Sequence, residues 1–284
     1  MLFQQVFSVY RYNLPSCIWK TINSYKSFSI GSNVQKFHSG YYEITGFPED
    51  CILDNETGNV FKNEKYYYCY GVNFENSQNT VISITGDDIN ASILIEECMF
   101  NSISSTENGG AIRFECLGQI HQNRVCSIKC SSRLGNHAYI ISSSGNAKHS
   151  IFETTISETF NTNPSNSLWM QNDINIKTTN FSKLIMPKYS AFILNNFTRA
   201  KVQFCTIANN VASSSVQTSV IIYCSDYNGV DLEVEFTNII GNIYEEYGAR
   251  LQCNAIFTRC AIYSNTARVG KESGFLGLRL KGKQ

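Results

Sequence analysis

Cys98-Met99-Phe100 is followed along the chain by Cys126-Ser127-Ile128, Thr154-Thr155-Ile156, Thr179-Asn180-Phe181, Cys205-Thr206-Ile207, Thr237-Asn238-Ile239 and Cys260-Ala261-Ile262. Successive members begin 28, 28, 25, 26, 32 and 23 residues apart. Each opens with Cys or Thr and closes with Phe or Ile. A second short apolar run alternates with this one, beginning at Val81, Ala111, Ala138, Leu168, Ala191, Val220, Ala249 and Phe275. A period of roughly 27 residues holding two β-rich runs, with no amphipathic helical stretch between them, excludes the helical repeat architectures.

Strand geometry explains the tripeptide. Residues two apart in a strand face one side, so Cys/Thr and Phe/Ile point together and the residue between them points away. That middle row (Met99, Ser127, Thr155, Asn180, Thr206, Asn238, Ala261) is mostly polar. The chain is therefore expected to be all-β: a right-handed parallel β-helix, a solenoid of about eight coils of roughly 27 residues stacked at strand spacing. Its interior carries a structural ladder of Cys98, Phe100, Cys126, Ile128, Thr154, Ile156, Thr179, Phe181, Cys205, Ile207, Thr237, Ile239, Cys260 and Ile262. Asn210, Asn242 and Asn265, each three residues after the Phe/Ile, are expected at corners, since Asn tolerates left-handed backbone.

Composition agrees. Four prolines, 34 Tyr and Phe, and abundant Asn, Ser and Thr suit pleated strands joined by polar turns. Charged residues make up only 16%, and 23 basic residues balance 23 acidic ones. No global field exists to draw nucleic acid or an anionic membrane. The eleven cysteines include no Cys-x-x-Cys pair, and His38, His121, His137 and His149 do not stand at zinc-ligand spacing. No metal and no cofactor is expected. No transmembrane segment is expected either, since no stretch reaches the roughly 20 apolar residues of a spanning helix. The first residues read poorly as a signal peptide.

Residues 1–65 depart from the period and are assigned to an irregular N-terminal cap; 66–284 form the β-helix. At the other end, Gly274-Phe-Leu-Gly-Leu-Arg-Leu280 opens a coil with no partner anchor after it, so that coil is expected to be incomplete.

Gly109-Gly110-Ala111-Ile112, preceded by Cys98-Met99-Phe100 and a polar turn, resembles the repeat of polymorphic membrane proteins, whose β-helical passengers carry GGAI and FxxN tetrapeptides. The resemblance covers roughly residues 66–284. Later coils keep Ala138, Ala191 and Ala249 but lose the double Gly; FxxN occurs at Phe160–Asn163 and Phe192–Asn195, out of register with the tripeptides. It implies a non-enzymatic, surface or extracellular adhesin-like protein presenting long stacked faces to a glycan or protein partner. Anchorage through a C-terminal membrane barrel like that of the bacterial members is not expected of these residues. Export would make Asn55, Asn90, Asn180 and Asn196, each in an Asn-x-Ser/Thr sequon, glycosylation acceptors.

The alternative function on the same fold is a polysaccharide lyase or glycoside hydrolase. It would need carboxylates, alone or with Arg or Lys, clustered on neighbouring coils. The row four residues after each second run from Ala111 on reads Glu115, Ser142, Asn172, Asn195, Cys224, Cys253, with one carboxylate. Asp87-Asp88 is an acidic pair more simply read as a solvated turn, and Asp173 stands alone. His121 and His137 have no Ser or Cys partner fixed by spacing, so no catalytic residue is assigned. Cys98 with Cys126, and Cys224 with Cys253, fall on neighbouring coils within disulfide reach. The plainer reading is reduced thiols packed as small hydrophobes.

Overall fold

The computed structural model describes residues 66–86, 92–142, 144–145, 147–160, 166–187, 189–212, 220–225, 231–245, 247–267 and 276–278. The proposed cap and the Asp87-Asp88 pair lie outside them. So does all of the Gly274–Leu280 segment except 276–278, whose strand Leu276–Leu278 pairs with Tyr247–Gln252.

All the described strands lie in parallel sheets stacked as a β-solenoid, and no described residue is helical. Three sheets, A, B and C, have eight strands each; a fourth, D, has four. One turn shows the order: Asp173–Lys177 in sheet A, Asn180–Ser182 in B, Ile185–Met186 in D and Tyr189–Asn195 in C. Every strand inside a sheet pairs with its counterparts one turn before and after, so like positions stack into columns about 4.8 Å apart.

The interior is built from those columns. In sheet B, Phe74, Phe100, Ser127, Ile156, Phe181, Ile207, Ile239 and Ile262 are in register. Phe100, Ile156, Phe181, Ile207 and Ile239 are fully buried, a burial worth about 1.5–3 kcal/mol for each side chain. The neighbouring inward column holds Cys98, Thr154, Thr179, Cys205, Thr237 and Cys260. Two members of the expected ladder are displaced, Cys126 and Ile128. Cys126 pairs with Met99 and Thr155, on the outward column, which puts Val125 among the Cys/Thr residues and Ser127 among the Phe/Ile residues. Ile128 likewise points outward, beside Asn101 and Ser157.

Each turn bends twice through left-handed backbone. Glu97, Arg124, Glu153, Thr178, Phe204, Phe236 and Arg259 (φ 46–55°) separate sheet A from B. Such backbone costs a non-glycine residue roughly 1–2 kcal/mol. Hydrogen bonds between turns offset it: Glu97 N–H donates to Asn123 O, and Met99 N–H donates back to Val72 O. The second bend follows sheet B, at Asn209, Gly241 and Ser264. Asn210, Asn242 and Asn265 are therefore not the left-handed residues. They come one position later, turn inward, and form a ladder. Asn210 Nδ2 donates to Asn242 Oδ1 at 3.0 Å and Asn242 Nδ2 to Asn265 Oδ1 at 2.9 Å. The same oxygens accept the backbone N–H of Asn210 and Asn242, and the same amides reach Phe181, Ile207 and Ile239 carbonyls.

The Gly109-Gly110 pair is explained by space. Gly109 has φ 77°, and a Cβ there would come 2.3 Å from Ile112 O; one on Gly110 would come 2.1 Å from Asn136 O in the next turn. Only glycine lets the two turns approach.

Candidate functional site

In a solenoid whose interior is closed, ligand chemistry belongs to the outward columns. Sheet C carries the most aromatic of them. Register places Arg113, Tyr139, Trp169, Ile193, Tyr223 and Arg250 in one line, about 24 Å long at strand spacing. The Tyr139 and Trp169 ring centroids are 5.8 Å apart, and the Arg250 guanidinium lies 5.9 Å from the Tyr223 ring centre. Arg113 Nε donates to Glu115 Oε1 at 2.8 Å, which raises the pKa of the guanidinium further and fixes its plane. Tyr223 OH donates to Gln252 Oε1 at 3.0 Å. Ile193 interrupts the rings and is only 1% exposed although it points outward. The line thus has two aromatic-cationic segments, Arg113–Tyr139–Trp169 and Tyr223–Arg250. Trp169 Nε1–H, at the centre of the line, is buried with no hydrogen-bond partner.

Sheet A carries the charges. Asp173 pairs with Arg199; Asn175, Lys201 and Glu233 stack; so do Lys177, Gln203 and Glu235. Lys201 Nζ is 2.5 Å from Glu233 Oε2, and Gln203 Nε2 donates to Glu235 Oε2 at 2.7 Å. Carboxylates and cations thus do meet on adjacent turns, contrary to the expectation from Glu115, Ser142, Asn172, Asn195, Cys224 and Cys253, which do not form one column. The lysine beside Glu233 holds its carboxyl below the usual range, so it stays ionised and is unsuited to act as a general acid.

Towards the other end of sheet A, His121 Nδ1 meets Ser150 Oγ at 2.5 Å, a partner that spacing did not reveal. Burial pushes His121 down to about 4, so it is neutral at pH 7. The pair faces outward, yet Ser150 is only 6% exposed and His121 9%, which closes it to a substrate. His137 lies inside, bonded through Nε2 to Gln122 Oε1 at 2.7 Å.

The corner between sheets A and B holds a further aromatic stack. Phe204 and Phe236 lie 4.9 Å apart at 5°, with Lys177 over the first ring and Arg259 over the second. Both outer ring faces are covered by cations, so no face is left on which a sugar could stack.

Of the sequons, Asn180 is half-buried on the outward column of sheet B and donates to Ser182 Oγ, and Asn196 is exposed. Asn55 and Asn90 lie outside the described residues. Among the thiols, Cys98 meets Cys69 rather than Cys126, and Cys224 lies against Cys253. Among the described residues no group of three or more His, Cys, Asp or Glu is placed to hold a metal ion, and no helix is long and apolar enough to cross a membrane.

The fold and these surfaces define a parallel β-solenoid with patterned outer faces. Compared with known proteins, the chain matches no family model, no curated protein and no solved structure.

Proposed function

We propose that the chain is a non-enzymatic interaction protein of the cell surface or extracellular space, and that the outward line of sheet C binds an extended glycan. The single observation that carries this reading is the alignment of Tyr139, Trp169 and Tyr223 between Arg113 and Arg250. Aromatic rings spaced along a rigid face suit stacking of successive sugar rings, and arginines at the ends suit carboxylate or sulfate groups. The resemblance of the Gly109–Ile112 repeat to polymorphic membrane proteins supports surface display. We take the solenoid as right-handed, with about eight turns in keeping with its eight-stranded sheets, and residues 1–65 as its cap.

The test is a glycan array followed by titration calorimetry of the full chain and of Trp169→Ala and Arg250→Ala, with thermal melts to verify folding. The expected result is binding to an acidic glycan, weakened about tenfold or more by either substitution, a loss of about 1.4 kcal/mol or more. No retained glycan, or affinity unchanged in folded Trp169→Ala, overturns it. Capture of a polypeptide by the same face instead would make the partner a protein.

A second reading, a polysaccharide lyase or hydrolase, is favoured by one observation: Asp173 beside Arg199 and Lys201 beside Glu233 on adjacent turns of sheet A. It requires polyuronate or neutral polysaccharide to be cleaved by the chain and not by Lys201→Ala. An inactive wild-type chain across both substrate classes removes it.

A further inference from the structure

Cys69 ends the inward column of the strand Tyr66–Tyr70, and Cys98 stands one turn later, directly after the left-handed corner at Glu97. Both point into the solenoid and are 1% and 0% exposed. Their sulfurs are 3.5 Å apart with no atom between them, and Cys98 Sγ also lies 3.5 Å from Cys69 O. A disulfide needs an S–S separation of about 2.05 Å. Closing the bond requires the two sulfurs to approach by roughly 1.5 Å.

We propose that Cys69 and Cys98 are an intra-chain disulfide site, closed by exchange with a low-molecular-weight disulfide, which staples two successive turns near the first described strand. In the reaction one cysteine thiolate attacks the small disulfide and releases one thiolate, leaving a mixed disulfide. The second cysteine attacks the protein-side sulfur and releases the other. The two protein protons end on the two released thiols, so two protein thiols plus one small disulfide give one protein disulfide plus two small thiols.

The folded environment sets the kinetics. The Cys98 thiol beside it, and burial after that, raise the Cys69 thiol well above its ordinary range, so the attacking thiolate is scarce while the turn is closed. Exchange therefore proceeds through opening of this turn and is accelerated by mild denaturant. Once formed, the bridge closes a loop whose ends are 29 residues apart and resists the same opening. Proximity selects the pair. Cys205 and Cys260 share one inward column, but Thr237 occupies the turn between them, so they serve as an internal control.

The experiment incubates the reduced full chain with oxidised glutathione in mild denaturant, blocks remaining thiols with N-ethylmaleimide and maps peptides without reduction. The expected product is a Cys69–Cys98 cross-linked peptide two hydrogens lighter than its parts, no Cys205–Cys260 product, and a higher denaturant midpoint that returns to its starting value on reduction. Cys98→Ser abolishes the product, and Cys69→Ser does the same should the first variant fold poorly. Recovery of Cys69 and Cys98 as alkylated thiols, as separate glutathione adducts, or bridged to other cysteines overturns the proposal.

Discussion

Two of the polar groups inside the solenoid are built on opposite principles. In the Asn210–Asn242–Asn265 ladder, each amide donates both to the next side chain or to a carbonyl of the previous turn, and each oxygen accepts from its neighbour. In the group around Gln122, His137 and His149, one polar atom of each residue is buried with no partner: Gln122 Nε2, His137 Nδ1 and His149 Nε2. The ladder therefore reinforces the backbone it stacks on, whereas the histidine group is held in place by its surroundings at a cost of about 1–3 kcal/mol for each orphaned atom. A repeated polar residue at one column position can satisfy itself; an isolated one in an aliphatic column cannot.

The largest effect expected from this contrast is acid lability. Burial pushes His137 and His149 down to about 3 and His121 to about 4, against about 6.5 in an unfolded chain. Above pH 6.5 all three are neutral in both states and their full contribution is present. As pH falls below 6.5 the unfolded chain takes up protons that the folded chain refuses, so stability declines until the folded pKa values are reached. The slope is at most about 1.4 kcal/mol per pH unit for each histidine. Urea midpoints measured between pH 7 and pH 4.5 should fall steadily; a flat profile would mean that these side chains protonate without unfolding.

Next in size is Asn242→Ala, which strands the Asn210 N–H and takes one side-chain donor each from the Asn265 oxygen and the Ile207 carbonyl. A loss of about 3 kcal/mol in urea unfolding is expected. A loss under 1 kcal/mol would show that the ladder is ornamental. The smallest effect belongs to the double variant Gln122→Leu/His137→Phe. It removes both halves of a half-satisfied pair, with Gln122 lying between Ile95 and Ile151 in its column, so its stability at pH 7 should stay within about 1 kcal/mol of the parent. His137→Phe alone should cost more, because it leaves Gln122 wholly unpaired; equal stability of the single and double variants would refute the pairing.

The period and the inward Phe/Ile column were legible because burial forces one residue class into one position turn after turn. The displacement at Cys126 was not. The true steps from Cys98 to Val125 and from Val125 to Thr154 are 27 and 29 residues, which sum to the same total as two steps of 28, so periodicity alone could not reveal the slip. The outward line of sheet C was hidden for a related reason. Its members Arg113, Tyr139, Trp169, Ile193, Tyr223 and Arg250 are 26, 30, 24, 30 and 27 residues apart. Loops of unequal length absorb the difference, and nothing on an outer face restricts residue type. The corner position was legible in existence but not in identity. Glu, Arg, Thr and Phe occupy left-handed backbone that composition would give to Gly or Asn, because inter-turn hydrogen bonds enforce it.

That enforcement has an evolutionary side. A bend held by main-chain bonds in both directions makes no demand on the side chain it carries, so the column from Glu97 to Arg259 is free to be rewritten without altering the scaffold. Here it runs from an alternating acid–base series, Glu97–Arg124–Glu153, to an aromatic one, Phe204–Phe236. The edge of the rod behaves as a blank margin on which surface character can drift, be selected or be engineered one letter per turn.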